Sequence, residues 1–155
     1  MARAPRLSYL MRQAQLANFQ QLDEVVRAFG LTPSQYIVLS VVHEHREGGV
    51  SSAALARRLG ITPQSSHEII AGLERLGLIQ RTEDTVFRRA LKVTLTATGA
   101  ALLRKCDRRV DRFEQQFYDG LTANEQAQLR AMLVTVIRHG RERIGSDSLG
   151  LAAAH

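Results

Sequence analysis

Residues 51–79, SSAALARRLGITPQSSHEIIAGLERLGLI, decide the fold of this chain, because they contain two short helical patterns separated by a tight turn. One of the two leading serines can cap the first helix, and Gly60 can end it in a left-handed conformation that glycine adopts easily. Thr62 can cap the second helix, and Pro63 at its first position loses no hydrogen bond. This order of helix, tight turn and helix is the helix-turn-helix pattern.

The second of these helices, predicted over 62–75, has a small, polar and nearly uncharged surface at its front. In a helix-turn-helix protein, this end of the helix contacts base edges in the major groove. The alternative is an ordinary solvated first turn. We predict DNA contacts from Gln64, Ser65, Ser66 and His67. Candidate phosphate contacts, each with a surface salt bridge as its alternative role, are Ser52, Arg57, Arg58 and Arg75.

A hairpin follows Gly77, where the hydrophobic period changes from about 3.6 residues to two. In RALKVTLT, residues 89–96, leucine and valine alternate with lysine and threonine, which predicts a half-buried strand. Residues 79–82 are a weaker strand candidate. A two-stranded hairpin directly after a helix-turn-helix is a wing. Arg88 and Arg89 lie at its tip, and a narrow minor groove attracts arginine.

Four amphipathic helices flank this unit, with apolar residues at helical spacing. They are predicted over 6–29, 33–46, 97–118 and from about 123 to 143, followed by a flexible tail at 145–155. The predicted fold is therefore mainly α with a small β wing. Because the first and last helices have no sheet to cover them, a second copy of the chain would bury them. A two-fold dimer places two recognition helices roughly 34 Å apart.

Composition narrows the class of protein further. The chain has 155 residues, a net charge of +6 and a pI near 10.4, which favours a polyanionic partner such as nucleic acid. The one cysteine allows no intrachain disulfide and favours a reducing, cytoplasmic setting. We find no signal peptide, no membrane-spanning stretch, no cysteine and histidine spacing for metal, and no nucleophile–base set. We therefore predict no enzyme activity, cofactor, metal or membrane partner.

Several short stretches together resemble the MarR family of bacterial transcriptional regulators. The stretches that carry the resemblance are LTPSQYIVL at 31–39, LARRLGITPQS at 55–65, LERLGLIQR at 73–81 and RRALKVTLTATG at 88–99. With the helical flanks they cover nearly the whole chain. The resemblance implies a single MarR-type domain over 1–155, with a winged helix-turn-helix lobe at 31–96 and dimerisation helices at 6–29 and 97–143.

The resemblance also implies a function: a nucleoid-associated homodimer in the bacterial cytoplasm that binds a pseudo-palindromic operator in double-stranded DNA, usually as a repressor. A small aromatic or anionic effector would bind between the dimer helices and the DNA-binding lobes. An aromatic acid or its CoA thioester is the expected chemistry. Such a ligand needs an apolar slot and one or two donors. The candidates for this pocket are Tyr9, Arg12, Tyr36 and His43, with core packing as their alternative role.

Two features leave alternatives open. Relatives in this family have aspartate before the wing arginine, whereas this chain has Phe87 there, and Asp84 is a candidate to brace the wing instead. Cys106 makes a thiol-based redox repressor an alternative, although it lies on an apolar stripe where an inert buried thiol is more usual. A constitutive DNA-binding protein without an effector is the remaining alternative.

Overall fold

The computed structural model describes the backbone of residues 4–83 and 91–152, and side chains as far as residue 143. These residues form six helices and a three-stranded sheet, which confirms the predicted mainly α fold with a small β wing. The helices are α1 (Leu7–Arg27), α2 (Pro33–Glu44), α3 (Ser52–Leu59), α4 (Pro63–Arg75), α5 (Ala97–Phe117) and α6 (Ala123–Ala152). The strands are β1 (Val50–Ser51), β2 (Ile79–Glu83) and β3 (Leu91–Leu95).

Local sequence signals set the helix starts. Thr32 and Gln35 form a capping box at α2, since each side chain bonds the other residue's backbone N–H. Ser51 caps α3, because its Oγ accepts from the backbone of Ala54 at 3.2 Å. Gly60 then ends α3 with φ of 65°, a left-handed conformation that favours glycine.

The sheet is antiparallel with strand order β1-β3-β2, so β3 is the central strand. Val50 pairs with Val93 on one side of β3, and Arg81 pairs with Val93 on the other. Strand β1 was not predicted, because two residues are too few to show a period of two. It lies immediately before α3, so it attaches the start of the helix-turn-helix to the base of the wing.

The chain divides into two compact units, residues 1–114 and 115–155. The core of the first unit is aliphatic and is supplied by α1 to α5 and the sheet. Its fully buried side chains include Val26, Val38, Leu39, Val42, Leu55, Ile70, Leu73, Ile79, Val93, Leu103 and Cys106.

The second unit contains the end of α5, the turn after it and α6. Thr122 and Glu125 form a capping box at the start of α6. The Gln126 amide donates to the backbone carbonyls of Tyr118 and Leu121, both at 3.0 Å, and so fixes the turn.

Helix α6 differs most from its prediction, because it continues to Ala152 instead of ending near residue 143. The predicted tail at 145–155 is therefore helical in its backbone as far as Ala152. The glycines at 145 and 150 do not end the helix, because a glycine inside a helix costs only about 1 kcal/mol. The alanines and leucines around them favour the helix. Among the described helices, none has a stretch long and apolar enough to cross a bilayer.

Candidate nucleic-acid interface

Helices α3 and α4 form the predicted helix-turn-helix, and their buried residues hold α4 in place. Leu55 on α3 is fully buried, as are Ile70 and Leu73 on α4. Thr62 caps α4 through its Oγ, which accepts from the backbone of Ser65 at 3.1 Å. The first turn of α4 is therefore held at both its cap and its inner face, while its outer face stays in solvent.

That outer face carries three of the four side chains predicted to contact DNA from the front of α4. Gln64 and His67 are exposed, and Ser65 is half-buried with its Oγ accepting from Thr62 Oγ1 at 2.9 Å. Gln64 donates to Glu68 at 3.1 Å, one turn further along the helix. Arg75 at the end of α4 is also exposed. The structure thus presents amide, hydroxyl and imidazole groups together on one exposed turn.

Ser66 departs from the prediction. Its side chain is only 1% exposed, and its Oγ donates to the backbone carbonyl of Ser52 on α3 at 3.2 Å. We therefore correct its assignment from a DNA contact to a buried link between the two helices. Its spacing explains the correction, since positions 66, 70 and 73 lie on the same inward stripe of α4.

The arginines around this turn have different surroundings. Arg57 is exposed, whereas Arg58 pairs with Glu44 at the end of α2. Arg81 on β2 pairs with Glu74 on α4, at 3.3 Å. For Arg58 the structure thus gives the surface salt bridge that was its alternative role, and Glu44 was not recognised in the sequence because 14 residues separate the partners.

Strands β2 and β3 form the base of the predicted wing. Their pairing runs from Ile79 opposite Leu95 to Glu83 opposite Leu91. The residues predicted for the tip and its bracing, Asp84, Phe87, Arg88 and Arg89, lie outside the described residues.

Tyr36 makes a contact that the sequence did not reveal. Its hydroxyl donates to Asp107 Oδ1 on α5 at 2.9 Å, so it joins α2 to α5 across 71 residues of sequence. Burial and this bond to a carboxylate both raise the pKa of the Tyr36 phenol above its usual value. Tyr36 is therefore a neutral hydrogen-bond donor that already has a partner within the chain.

Within one chain, the described contacts do not bring the four effector-pocket candidates together. Tyr9 and Arg12 are exposed on α1, whereas Tyr36 and His43 are half-buried on α2. A surface cavity of about 650 Å³ is lined by Gln20, Asp23, Glu24 and Arg27 on α1. Another of about 310 Å³ is lined by residues 44–49. None of the four candidates is among these lining residues.

Cys106 lies on the inward stripe of α5 and is fully buried. Burial, reinforced by the nearby Asp107 carboxylate, raises the pKa of its thiol to about 11. A reactive sensor cysteine needs exposure and a lowered pKa, so this environment favours the inert alternative. In the part of the chain that the structure describes, no three histidine, cysteine or carboxylate side chains are grouped to hold a metal ion.

Winged-helix regulators have this arrangement: a helix-turn-helix whose inner face is buried, an exposed polar turn on its second helix, and a small sheet beside it. A sequence profile of the MarR family matches residues 29–90. The HTH-type transcriptional repressor Rv2887 of Mycobacterium tuberculosis is 29% identical over 141 residues, which cover 91% of this chain and 94% of that protein.

Comparison with solved structures also finds MarR-type regulators. The Mycobacterium tuberculosis protein Rv2887 in complex with salicylic acid is 28% identical with a TM-score of 0.70, covering 88% of this chain and 99% of that one. MepR of S. aureus in complex with DNA is 25% identical with a TM-score of 0.75, covering 86% of this chain and 96% of that one. The chain is therefore similar to MarR-family transcriptional regulators, by the family profile over residues 29–90 and by these relatives over most of its length.

Proposed function

We propose that this protein is a homodimeric repressor that binds a pseudo-palindromic operator and leaves it when a small aromatic or anionic ligand binds. The observation that carries the proposal is the exposed first turn of α4, where Gln64, Ser65 and His67 stand on a buried helix-turn-helix. As a regulator of bacterial genes, it would act on the chromosome in the cytoplasm.

DNA binding is supported by the chemistry of the exposed turn of α4 and by structural similarity to a protein solved with DNA. The exposed turn offers an amide, a hydroxyl and an imidazole, groups that read base edges in the major groove. The net charge of +6 favours phosphate contact, and Arg57 and Arg75 are exposed on the same two helices. A structural relative, MepR, has been solved in complex with DNA. The wing arginines, Arg88 and Arg89, complete this proposed interface in the minor groove.

The dimer is supported by exposed apolar side chains on the first and last helices. In a single chain, α1 exposes Leu7, Tyr9, Leu10, Met11, Leu16 and Phe19. Helix α6 exposes Met132, Leu133, Val134, Val136 and Ile137. Soluble monomers rarely leave contiguous surfaces of this kind in water. We propose that a second copy covers them, with 1–155 acting as one domain, 31–96 as the lobe, and 6–29 and 97–143 as the dimerisation helices.

An effector is supported by the relative that was solved with salicylic acid. Its chemistry, a carboxylate on an aromatic ring, agrees with the expected class of ligand. A slot lined by Tyr9, Arg12, Tyr36 and His43 would have to be assembled with the second copy. A ligand that binds the DNA-incompetent dimer a few kcal/mol more tightly than the competent one would release the operator.

Binding-site selection from a random DNA library tests the DNA-binding proposal. We expect an enriched two-fold sequence, and we expect Gln64→Ala and His67→Ala each to weaken binding to it by about tenfold or more, since a lost base contact costs about 1–3 kcal/mol. Gln128→Ala, at an exposed position on α6, is the matched control. Losses no larger than that of the control would contradict the placement of the interface on α4.

Calorimetry with a panel of phenolic acids and their CoA thioesters tests the effector. We expect at least one compound to bind with measurable heat and to release the selected DNA. Absence of heat and of release across the panel would favour the constitutive alternative.

The redox alternative has its own test. Equal peroxide sensitivity of DNA binding in the wild type and in Cys106→Ser would exclude this thiol as the sensor.

A further inference from the structure

Two neighbouring residues of α4 both reach Ser52 at the start of α3. Ser66 donates from its Oγ to the Ser52 carbonyl at 3.2 Å, and His67 Nδ1 lies 3.4 Å from Ser52 Oγ. The Ser66 side chain is buried, so the first of these bonds fixes the backbone of Ser52 relative to the first turns of α4. The Ser52 hydroxyl is thereby placed beside the imidazole ring.

This contact determines which ring nitrogen His67 can offer to a ligand. A neutral imidazole carries one N–H and one acceptor nitrogen, and a serine hydroxyl can donate to the acceptor. If the Ser52 hydroxyl donates to Nδ1, the proton of the neutral ring is on Nε2. His67 is exposed on the outer face of α4, so Nε2–H is the group left to contact a partner.

We propose that Ser52 is a positioning residue that holds His67 in the Nε2–H form and thereby sets the base preference opposite it. The proposal rests on the proposed function, since it assumes that α4 enters the major groove. A single N–H donor favours a base that presents acceptors in the major groove, and guanine presents two, N7 and O6, whereas adenine N7 and thymine O4 offer one each. It disfavours cytosine, whose N4 amino group is itself a donor. The role predicted from sequence for Ser52, a phosphate contact, would instead be independent of base identity.

The test begins with the tautomer and needs no DNA. Long-range ¹H–¹⁵N correlation spectra of the full-length protein at about pH 8.5 report which nitrogen of His67 carries the proton, and His67→Ala identifies its signal. We expect the wild type and Ser52→Thr, which keeps a hydroxyl, to populate the Nε2–H form almost alone. We expect Ser52→Ala to show an increased share of the Nδ1–H form. The same tautomer ratio in the wild type and in Ser52→Ala would overturn the proposal.

The second arm measures base preference on the DNA selected by the wild type. Dissociation constants are measured for the selected site and for all single-base changes, at fixed salt. The position whose preference disappears in His67→Ala defines the facing base. We expect Ser52→Ala to reduce discrimination at that position by roughly three- to tenfold, the range of one net hydrogen bond. Ser52→Thr should restore discrimination, and Ser34→Ala on α2, outside the proposed dimerisation helices, serves as the matched control.

The outcomes separate the possibilities. A uniform loss of affinity in Ser52→Ala at every sequence would mean a phosphate contact or a purely structural role, and would overturn the proposal. A preference for cytosine at the facing position would overturn it as well. Failure of the wild type to select any sequence would refute the proposed function, and the base-reading role with it, whereas the tautomer arm would still report on the contact between Ser52 and His67.

Discussion

The buried hydroxyl of Ser66 connects the two helices of the helix-turn-helix. Ser66→Ala removes the hydrogen bond from α4 to the Ser52 carbonyl, so we expect the free energy of unfolding to fall by about 0.5–1.5 kcal/mol. Urea denaturation followed by circular dichroism measures this change. Ser34→Ala on α2, outside the proposed dimerisation helices, should change stability by less than about 0.5 kcal/mol. Equal effects of the two substitutions would contradict the role assigned to Ser66.

The environment of Cys106 predicts a thiol that reacts slowly with alkylating reagents. Its pKa, raised to about 11, leaves a small thiolate fraction at pH 8, and its complete burial blocks reagents. We expect alkylation by iodoacetamide to be at least about a hundredfold slower in the native protein than in urea. Mass spectrometry over time measures both rates. Comparable rates would favour the redox alternative.

The same thiol should make stability depend on alkaline pH. The folded state keeps a proton on Cys106 that the unfolded state releases near pH 9, because the pKa rises from 9.0 to about 11 on folding. The unfolded state then binds fewer protons, so stability is complete below pH 9 and falls as pH rises towards 11. Tyr36 has a raised pKa as well and adds a loss that begins near pH 10.

Denaturation at pH 8, 9, 10 and 11 measures this loss, which for Cys106 is about 3 kcal/mol at most. Cys106→Ala should remove its share of the slope between pH 9 and 11, while the loss from Tyr36 remains. An unchanged slope in Cys106→Ala would show that burial does not shift this pKa.

At the scale of the elements, the start of α5 packs directly against the backbone of residues 77 and 78, which follow α4. A β-carbon on Gly99 would lie 1.9 Å from the backbone oxygen of Leu78, and Thr96 donates to the Gly77 carbonyl at 2.7 Å in the same place. Backbone cannot move aside as a flexible side chain can, so we expect Gly99→Ala to destabilise the protein by about 3 kcal/mol or more.

Gly140→Ala on α6 is the matched control for this prediction. A β-carbon there meets nothing within 4 Å, so the substitution should stabilise the helix by about 0.5–1 kcal/mol. Thermal melting of both variants compares them directly. A Gly99→Ala protein as stable as the wild type would mean that α5 does not pack this closely.

The sequence predicted the helices and the main strands because their caps and periods are local. Thr32 with Gln35, and Thr62 with Pro63, mark helix starts within four residues of sequence. Strand β1 was missed because its partner Val93 lies 43 positions away and two residues show no period. The end of α6 was misplaced because glycine weakens a helix without necessarily stopping it.

The candidate site was predictable to the extent that residue type and helical phase determine it. Polar residues at the front of α4 were found from the caps, but the phase that buries Ser66 was overlooked. The bonds from Tyr36 to Asp107 and from Ser66 to Ser52 join different helices. Such pairs depend on how helices pack, and no pattern within one helix contains that information.

At the scale of the whole molecule, dimerisation should depend on the exposed apolar face of α6. Ile137→Glu introduces a charge that would be costly to bury, so we expect the protein to shift from dimer towards monomer. Sedimentation velocity at several concentrations measures the shift. Gln128→Glu adds the same charge on another side of α6 and should leave the dimer intact. A dimer equally stable in both variants would exclude this face.

DNA affinity should also depend on salt in a way that separates phosphate contacts from base contacts. A dimer with about six phosphate contacts has a slope near −5 in a plot of log K against log salt. We expect Arg75→Gln to lower its magnitude by about two per dimer, and His67→Ala at pH 8 to leave it unchanged. Fluorescence anisotropy from 50 to 300 mM salt measures the slopes, with Arg138→Gln on α6 as the control. An unaltered slope in Arg75→Gln would remove it from the phosphate contacts.

Strand β3 pairs on one edge with β1, which runs directly into α3, and on the other with β2, which follows α4 after a short turn. The two ends of the helix-turn-helix are therefore joined through β3. The base of the wing cannot move relative to α3 and α4 without breaking hydrogen bonds between the strands. An engineer who wishes to change operator preference should accordingly exchange residues 50–95 as one cassette, or alter only the outward side chains of α4.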